Sequence, residues 1–227
     1  AAVAIEPRSG EVLALVNAPT YNPNLLSGGE TGRNYKILES KDGNILFQRS
    51  LNPQPPGSIV KTMQSAIALD LGTANEFTAY RCNKKLVGCH NHESPLTLPQ
   101  SIQNSCNPYY YHLVNKIFTR GRKGNMAQLR KGMDEWEKYV RSFGFGSPLG
   151  IDLYGEKEGN VPDKREYDVY YGKNRWKWST IFSIAIGQGE FLVTPLQMAN
   201  LACVMANKGC YYQPHLVTKI GDKKIVF

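Results

Sequence analysis

No stretch of this chain stays apolar for the roughly 18 residues that a membrane-spanning helix requires, and its first residues lack the basic segment that opens a secretion signal. Residues 1–227 are therefore expected to hold neither a span nor a signal peptide. Cysteines are few and odd in number, five, which excludes a complete disulfide framework. Concentrated charge of one sign is also missing. The net +8 is spread out, and its densest basic run carries Arg120, Arg122, Lys123, Arg130, Lys131, Lys138 and Arg141 but is interrupted by Asp134, Glu135 and Glu137. Such a run reads as a solvated helix face, and no nucleic-acid-binding module or nucleic-acid partner is indicated. Internal repeats and low-complexity tracts are absent. What is present is a 41% hydrophobic chain, long enough to bury a core as one large domain or two small ones.

Short apolar strands are predicted over Ala2 to Ile5 and Val12 to Val16, joined as a hairpin through Glu6-Pro7-Arg8-Ser9-Gly10-Glu11. Pro19 to Ser50, rich in Asn, Gly and charge, reads as a long surface excursion. Helices are predicted from Ser58 to Gly72, over Leu98 to Gln103, from Pro108 with Tyr111, Val114 and Ile117 on its apolar face, over Met126 to Phe143, and over Leu196 to Asn207 behind a Thr194-Pro195 cap. Gly150 to Lys177 is turn-rich and aromatic. Strands at the start, helices in the middle and a strand at the end indicate a mixed α+β fold. Both ends read as cut, because Ala1 to Ile5 is already strand-like and Lys224-Ile225-Val226-Phe227 stops inside an apolar run. The chain is expected to be a piece of a longer protein.

The chemistry is carried by Ser58-Ile59-Val60-Lys61, set after Pro55-Pro56-Gly57. The prolines and glycine fix a helix start, and three-residue spacing puts the hydroxyl and the amine on one face of the first turn. A serine nucleophile needs such a neighbour when no histidine serves as its base. Burial would disfavour the Lys61 ammonium and leave a base near neutral pH, while helix N–H groups would favour an oxyanion at Ser58.

Ser105-Cys106-Asn107 lies 47 residues after Ser58. A second hydroxyl near Lys61 can relay a proton to a leaving amine, and the Asn107 amide can bond both a substrate carbonyl and the lysine. Cys82 and Cys89 bracket a segment that could fold back as a hairpin, and His90 and His92 follow at once. A disulfide or two free thiols is the favoured reading. A zinc site is the other, although Cys-x6-Cys-His-x-His matches no standard ligand spacing.

Taken together, the S-x-x-K and S-x-N motifs resemble those of the penicillin-binding proteins and serine β-lactamases. Further segments carry the resemblance: the opening hairpin Ala4 to Val16, Tyr21-Asn22-Pro23-Asn24, Phe143-Gly144-Phe145-Gly146 to Gly150-Ile151-Asp152-Leu153, Gly159-Asn160-Val161-Pro162, Gly187-Gln188-Gly189-Glu190 and Thr194-Pro195-Leu196-Gln197-Met198-Ala199. They are most similar to class B enzymes, in particular the penicillin-binding protein 2 group of rod-shaped Gram-negative bacteria. The likeness covers nearly the whole chain and is weakest near Leu25 to Phe47.

The resemblance implies a transpeptidase fold with an antiparallel sheet flanked by a helical region. It also implies that residues 1–227 form one partial transpeptidase domain. The family's third motif, Lys-[Ser/Thr]-Gly, is missing, since Lys219-Ile220-Gly221 has the wrong middle residue. It is expected beyond Phe227, and residues 1–227 alone are expected to be inactive or impaired. Implied activity is D,D-transpeptidation of peptidoglycan stem peptides during cell elongation. Ser58 would be the nucleophile, Lys61 the base, and Ser105 and Asn107 proton-relaying groups, with β-lactams acylating Ser58 and no metal or organic cofactor required. Gln188 and Glu190 are read as scaffold beside the site. The resemblance further implies the periplasmic face of the bacterial inner membrane, an N-terminal anchor outside these residues, and glycosyltransferase and elongation-complex partners bound through other regions. A β-lactamase, a β-lactam-sensing domain and a non-catalytic peptidoglycan-synthesis scaffold are the rivals.

Overall fold

The computed structural model describes residues 1–41, 43–121 and 125–225. In chain order the elements are β1 (Ala2–Ile5), β2 (Val12–Val16), α1 (Thr31–Glu39), α2 (Val60–Asp70), α3 (Leu98–Gln103), α4 (Asn107–Thr119), α5 (Met126–Ser142), α6 (Lys164–Tyr171), α7 (Trp178–Ile181), α8 (Pro195–Ala206), β3 (Lys219–Ile220) and β4 (Lys223–Lys224). The mixed α+β class is as expected. The sheets among the described residues are two antiparallel pairs, β1 with β2 and β3 with β4. The chain divides into two compact units, the first made of Ala1–Pro53, Pro148–Lys157 and Thr194–Phe227, the second of Gln54–Ser147 and Glu158–Val193.

In the first unit, β1 and β2 pair in the register Ala2 to Val16 through Ile5 to Val12, with an irregularity between Ala4 and Ile5. Gly10 closes the hairpin at φ +84°, and a Cβ there would sit 2.4 Å from the Gln213 carbonyl oxygen, so only glycine fits. Val12, Leu51, Leu149, Ile151 and Leu196 form the core, with Val3, Ile5, Leu15 and Leu153 packed against it. A reciprocal cap starts α8: the Thr194 hydroxyl accepts from the Gln197 N–H at 3.1 Å, and the Gln197 side chain accepts from the Thr194 N–H at 2.9 Å. The excursion between Pro19 and Ser50 is more ordered than its composition suggests. It forms α1, and Leu38, Ile45 and Ser50 are buried. Asp42 lies outside the described residues, as do Val226 and Phe227 of the predicted terminal strand.

The second unit is helical. Val60, Met63, Ile67 and Ala68 of α2 are buried, as are Leu113, Val114, Ile117 and Phe118 of α4 and Leu129, Met133, Trp136 and Val140 of α5. Gly132 lets α5 touch α4, because a Cβ there would lie 2.1 Å from the Phe118 carbonyl oxygen. The apolar face of α4 is wider than predicted: Tyr109 and Tyr110 are fully buried, and Tyr111 only half so. α6 interrupts a stretch read as turns, started by the Asp163 carboxylate accepting from the Arg165 and Glu166 N–H groups. Ion pairs of Arg120 with Glu135, Arg130 with Asp168 and Arg141 with Glu137 neutralise three cations of the basic run. Arg122 and Lys123 of that run lie outside the described residues. No described helix is long and apolar enough to cross a membrane.

Candidate functional site

Ser58 is held at the mouth of α2 by backbone contacts. Gln54 and Val193 exchange two backbone hydrogen bonds, each of 2.9 Å, and the Gly57 N–H donates to the Gly187 carbonyl at 2.8 Å. Gly187 must be glycine for this approach: its φ is +71°, and a Cβ would lie 2.2 Å from the Gly57 carbonyl oxygen. Gly57–Ile59 forms one 3-10 turn before α2 begins at Val60, so the exposed Ser58 sits in that turn and Lys61 in the α-helix proper.

The second strip comes from the joint between α3 and α4. α3 is capped by Thr97, whose backbone N–H donates to the Gln100 side chain at 2.9 Å, and ends at Asn104. Ser105 then adopts φ +49°, an unusual angle for a residue with a side chain. That turn aims both its hydroxyl and its carbonyl at Lys61, and α4 begins at Asn107 with Pro108 in its first turn.

All four predicted residues meet. The Lys61 amine, 2% exposed, donates to the Ser105 carbonyl at 2.7 Å, the Ser105 hydroxyl at 2.9 Å and Asn107 Oδ1 at 2.6 Å. Ser105 in turn donates to Ser58 Oγ at 2.9 Å. Three acceptors thus use up the ammonium, and the link from Lys61 to Ser58 runs through Ser105 rather than directly. Burial holds the Lys61 pKa down at about 8, partly offset by the Cys89 and Cys106 thiols nearby. The Tyr110 ring lies 5.5 Å below the amine, and its hydroxyl is tied to Ser65 at 2.7 Å.

Asn107 is fixed from its other side, where its Nδ2 donates to the Gly88 carbonyl at 2.7 Å. That bond orients the amide so that Oδ1 faces Lys61. Gly88 belongs to the loop between Cys82 and His92, a functional contribution the sequence did not disclose. The loop is a turn closed by the Leu86 N–H on the Asn83 carbonyl, and Cys82 and Cys89 are not bridged. Instead Cys82, Cys89, His92 and Cys106 bring their ligand atoms within 4.8 Å of one another. His90 is not in this group, and Cys106, inside the S-x-N triplet, is. Burial raises Cys89, yet hydrogen bonds from His92 and the Asn107 N–H outweigh it and leave that thiol below its usual pKa. Burial pushes Cys106 up to about 12, and the Glu93 carbonyl raises His92. Three sulfurs and an imidazole in such a cluster are a donor set suited to tetrahedral zinc.

Gln188 is exposed, and the Glu190 carboxylate accepts from the Tyr167 hydroxyl at 3.1 Å, outside the hydrogen bonds that join Ser58 to Asn107.

The sequence profile described as the penicillin binding protein transpeptidase domain matches residues 1–226. The chain belongs to that family. Among its relatives, the peptidoglycan D,D-transpeptidase MrdA of Acinetobacter baumannii is 32% identical over 233 residues, a match covering 96% of this chain and 32% of that protein. The Pseudomonas aeruginosa PBP2 structure in complex with WCK 5153 superposes with a TM-score of 0.80 at 28% identity, covering 99% of this chain and 50% of the other. Penicillin-binding protein A of M. tuberculosis, solved as an imipenem acyl-enzyme complex, gives a TM-score of 0.73 at 26% identity, over 95% of this chain and 48% of the other. The chain thus spans about a third of the length of its curated transpeptidase relative.

Proposed function

We propose that this protein is a peptidoglycan D,D-transpeptidase that works through a serine acyl-enzyme. The observation that carries the reading is the continuous path from Ser58 through Ser105 to Lys61 and Asn107. With Lys61 neutral, the Ser58 proton passes to Ser105 and the Ser105 proton to the Lys61 amine as Ser58 Oγ bonds to the carbonyl carbon of the penultimate D-Ala. The Ser58 N–H, in the 3-10 turn that leads into α2, is one donor for the oxyanion. Collapse breaks the peptide bond, and the relay returns the proton to the departing D-Ala amine. An amine from a neighbouring stem peptide then attacks the ester, loses its proton along the same path and restores Ser58. A β-lactam acylates Ser58 in the same way, because its strained amide mimics D-Ala-D-Ala. This chemistry belongs on the periplasmic face of the inner membrane, where stem peptides are joined during elongation.

The thiol–imidazole cluster supports a structural zinc ion held by Cys82, Cys89, His92 and Cys106, which would tie the 82–92 loop to the S-x-N turn. When bound, the ion would supply rigidity, while the proton path stays with Ser58, Ser105 and Lys61.

The test is acyl transfer from a stem pentapeptide to an added D-amino acid. Ser58-dependent exchange of the terminal D-Ala is expected. Hydrolysis of penicillin without exchange would indicate a β-lactamase, and neither reaction would leave a scaffold.

A further inference from the structure

One side chain packed beside the base takes no part in the proton path. Tyr110 is fully buried on α4, three residues beyond Asn107. That spacing puts the two on the same side of the helix. The element that sets Asn107 Oδ1 2.6 Å from the Lys61 amine therefore also brings up the Tyr110 ring, whose centroid is 5.5 Å from that amine. The ring is fixed at its far end. Ser65 donates its hydroxyl proton to the Lys61 carbonyl at 2.8 Å, which leaves its oxygen to accept from the Tyr110 hydroxyl at 2.7 Å. Burial raises the Tyr110 pKa, so the phenol keeps the proton this bond needs. Tyr109 braces the ring from the side, with 5.6 Å between centroids, and its own hydroxyl is tied to the Thr78 carbonyl at 2.7 Å. Lys61 thus meets Tyr110 twice, at its amine through the ring and at its backbone through Ser65.

The face of an aromatic ring is negative and attracts a cation within about 6 Å, most strongly where water is excluded. Here Lys61 is 2% exposed, and its three hydrogen-bond partners are uncharged oxygens. When the amine takes the Ser58 proton through Ser105, positive charge appears on this nitrogen. The ring favours that charge and cannot take the proton for itself. A carboxylate in its place would hold the ammonium too firmly for Lys61 to serve as a base, whereas a ring face gives a weaker attraction.

We infer that Tyr110 is a positioning residue for the proposed reaction: it holds the Lys61 amine at the end of the proton path and steadies the positive charge that forms there during acylation. The inference rests on the serine acyl-enzyme reading, and it gives the ring a task that neither Ser105 nor Asn107 performs.

The experiment places rings of nearly one shape but falling face charge at position 110 of the full-length protein. The series is Tyr110→Phe, followed by difluorophenylalanine and trifluorophenylalanine at the same site, with the melting temperature of each recorded. Penicillin acylation is followed over a range of penicillin concentrations, so that the dissociation constant of the first complex and the acylation rate constant separate. It is measured well above pH 8, where the resting amine is neutral, and at equal zinc content, because Cys89 and Cys106 also act on that amine. Tyr110→Phe keeps the ring and should stay within about threefold of the wild-type rate. From phenylalanine to trifluorophenylalanine the rate constant should fall stepwise, by roughly three- to tenfold in all, with the dissociation constant unchanged. A flat series, or rates that follow melting temperature rather than fluorine count, overturns the role of the ring and leaves the acyl-enzyme reading standing. No acylation of Ser58 in the wild type overturns that reading, and the role of Tyr110 with it.

Discussion

Ser105 carries two burdens at once, a left-handed backbone at φ +49° and the hydroxyl that joins Lys61 to Ser58. Two substitutions separate them. Ser105→Ala and Ser105→Gly both remove the relay and should lower the rate of penicillin acylation by about 10²–10⁴-fold. The glycine variant adopts the angle freely and should be more stable than the alanine variant by roughly 1–2 kcal/mol in denaturant unfolding. Equal acylation by wild type and both variants would show that Lys61 reaches Ser58 without Ser105. Lys61 sets the pH dependence. Burial lowers its pKa to about 8 from 10.5, with Cys89, Cys106 and Tyr110 facing it. Acylation requires the neutral amine, so its rate should climb as pH rises through about 8 and level off above. Stability follows the same sign. The folded state disfavours the charged amine, a penalty fully present below about 8 that lifts as pH rises toward 10.5, where the unfolded chain also loses its proton. The spacing of Ser58 and Lys61 was legible because it is local. Ser105 and Asn107 became legible only in combination with it. The grips of Gly187 on Gly57 and of Gly88 on Asn107 each use a backbone carbonyl from a segment distant in sequence, and no side-chain pattern announces them.

Helix packing explains both the successes and the failures of periodicity. α2, α5 and α8 each bury one continuous stripe and were readable from it. α1 buries only Leu38 and α6 only Tyr167, so neither shows a repeating apolar face, although Asp163 offered a capping signal for α6. Tyr109 and Tyr110 are both enclosed because α4 is packed on more than one side, which a single amphipathic stripe cannot represent. The close approach of α4 and α5 at Phe118 depends on a glycine, beside the edge-on packing of Phe118 on Trp136. Gly132→Ala would press a Cβ against the Phe118 carbonyl and should cost roughly 1–3 kcal/mol in denaturant unfolding, despite the better helix propensity of alanine. A neutral effect would mean that the two helices separate at little cost. The loop between Cys82 and His92 lacks regular structure, and its thiol–imidazole cluster is where a bound ion would add to its few hydrogen bonds. Chelation with EDTA should lower the melting temperature of zinc-loaded protein, by roughly 2–4 °C for each kcal/mol of lost binding, and Cys89→Ser should abolish that response. Absence of stoichiometric zinc by elemental analysis, with no response to chelator, would argue that the thiols act alone.

At the scale of the molecule, the four residues assigned roles in the proposed proton path all lie in the helical unit, Ser58 in the turn before α2, Lys61 in α2, and Ser105 and Asn107 at the α3–α4 joint. The family assignment, the hydrogen-bond path and the low pKa of Lys61 converge on one claim, that Ser58 is an activated acyl acceptor. The most direct measurement is intact mass followed by peptide mapping after incubation with benzylpenicillin, on the full-length wild type and on its Ser58→Ala variant. A single adduct equal to one penicillin, confined to the peptide bearing Ser58 and absent from the variant, is the expected result. No adduct on the folded wild type, or an adduct that persists in Ser58→Ala, would contradict it.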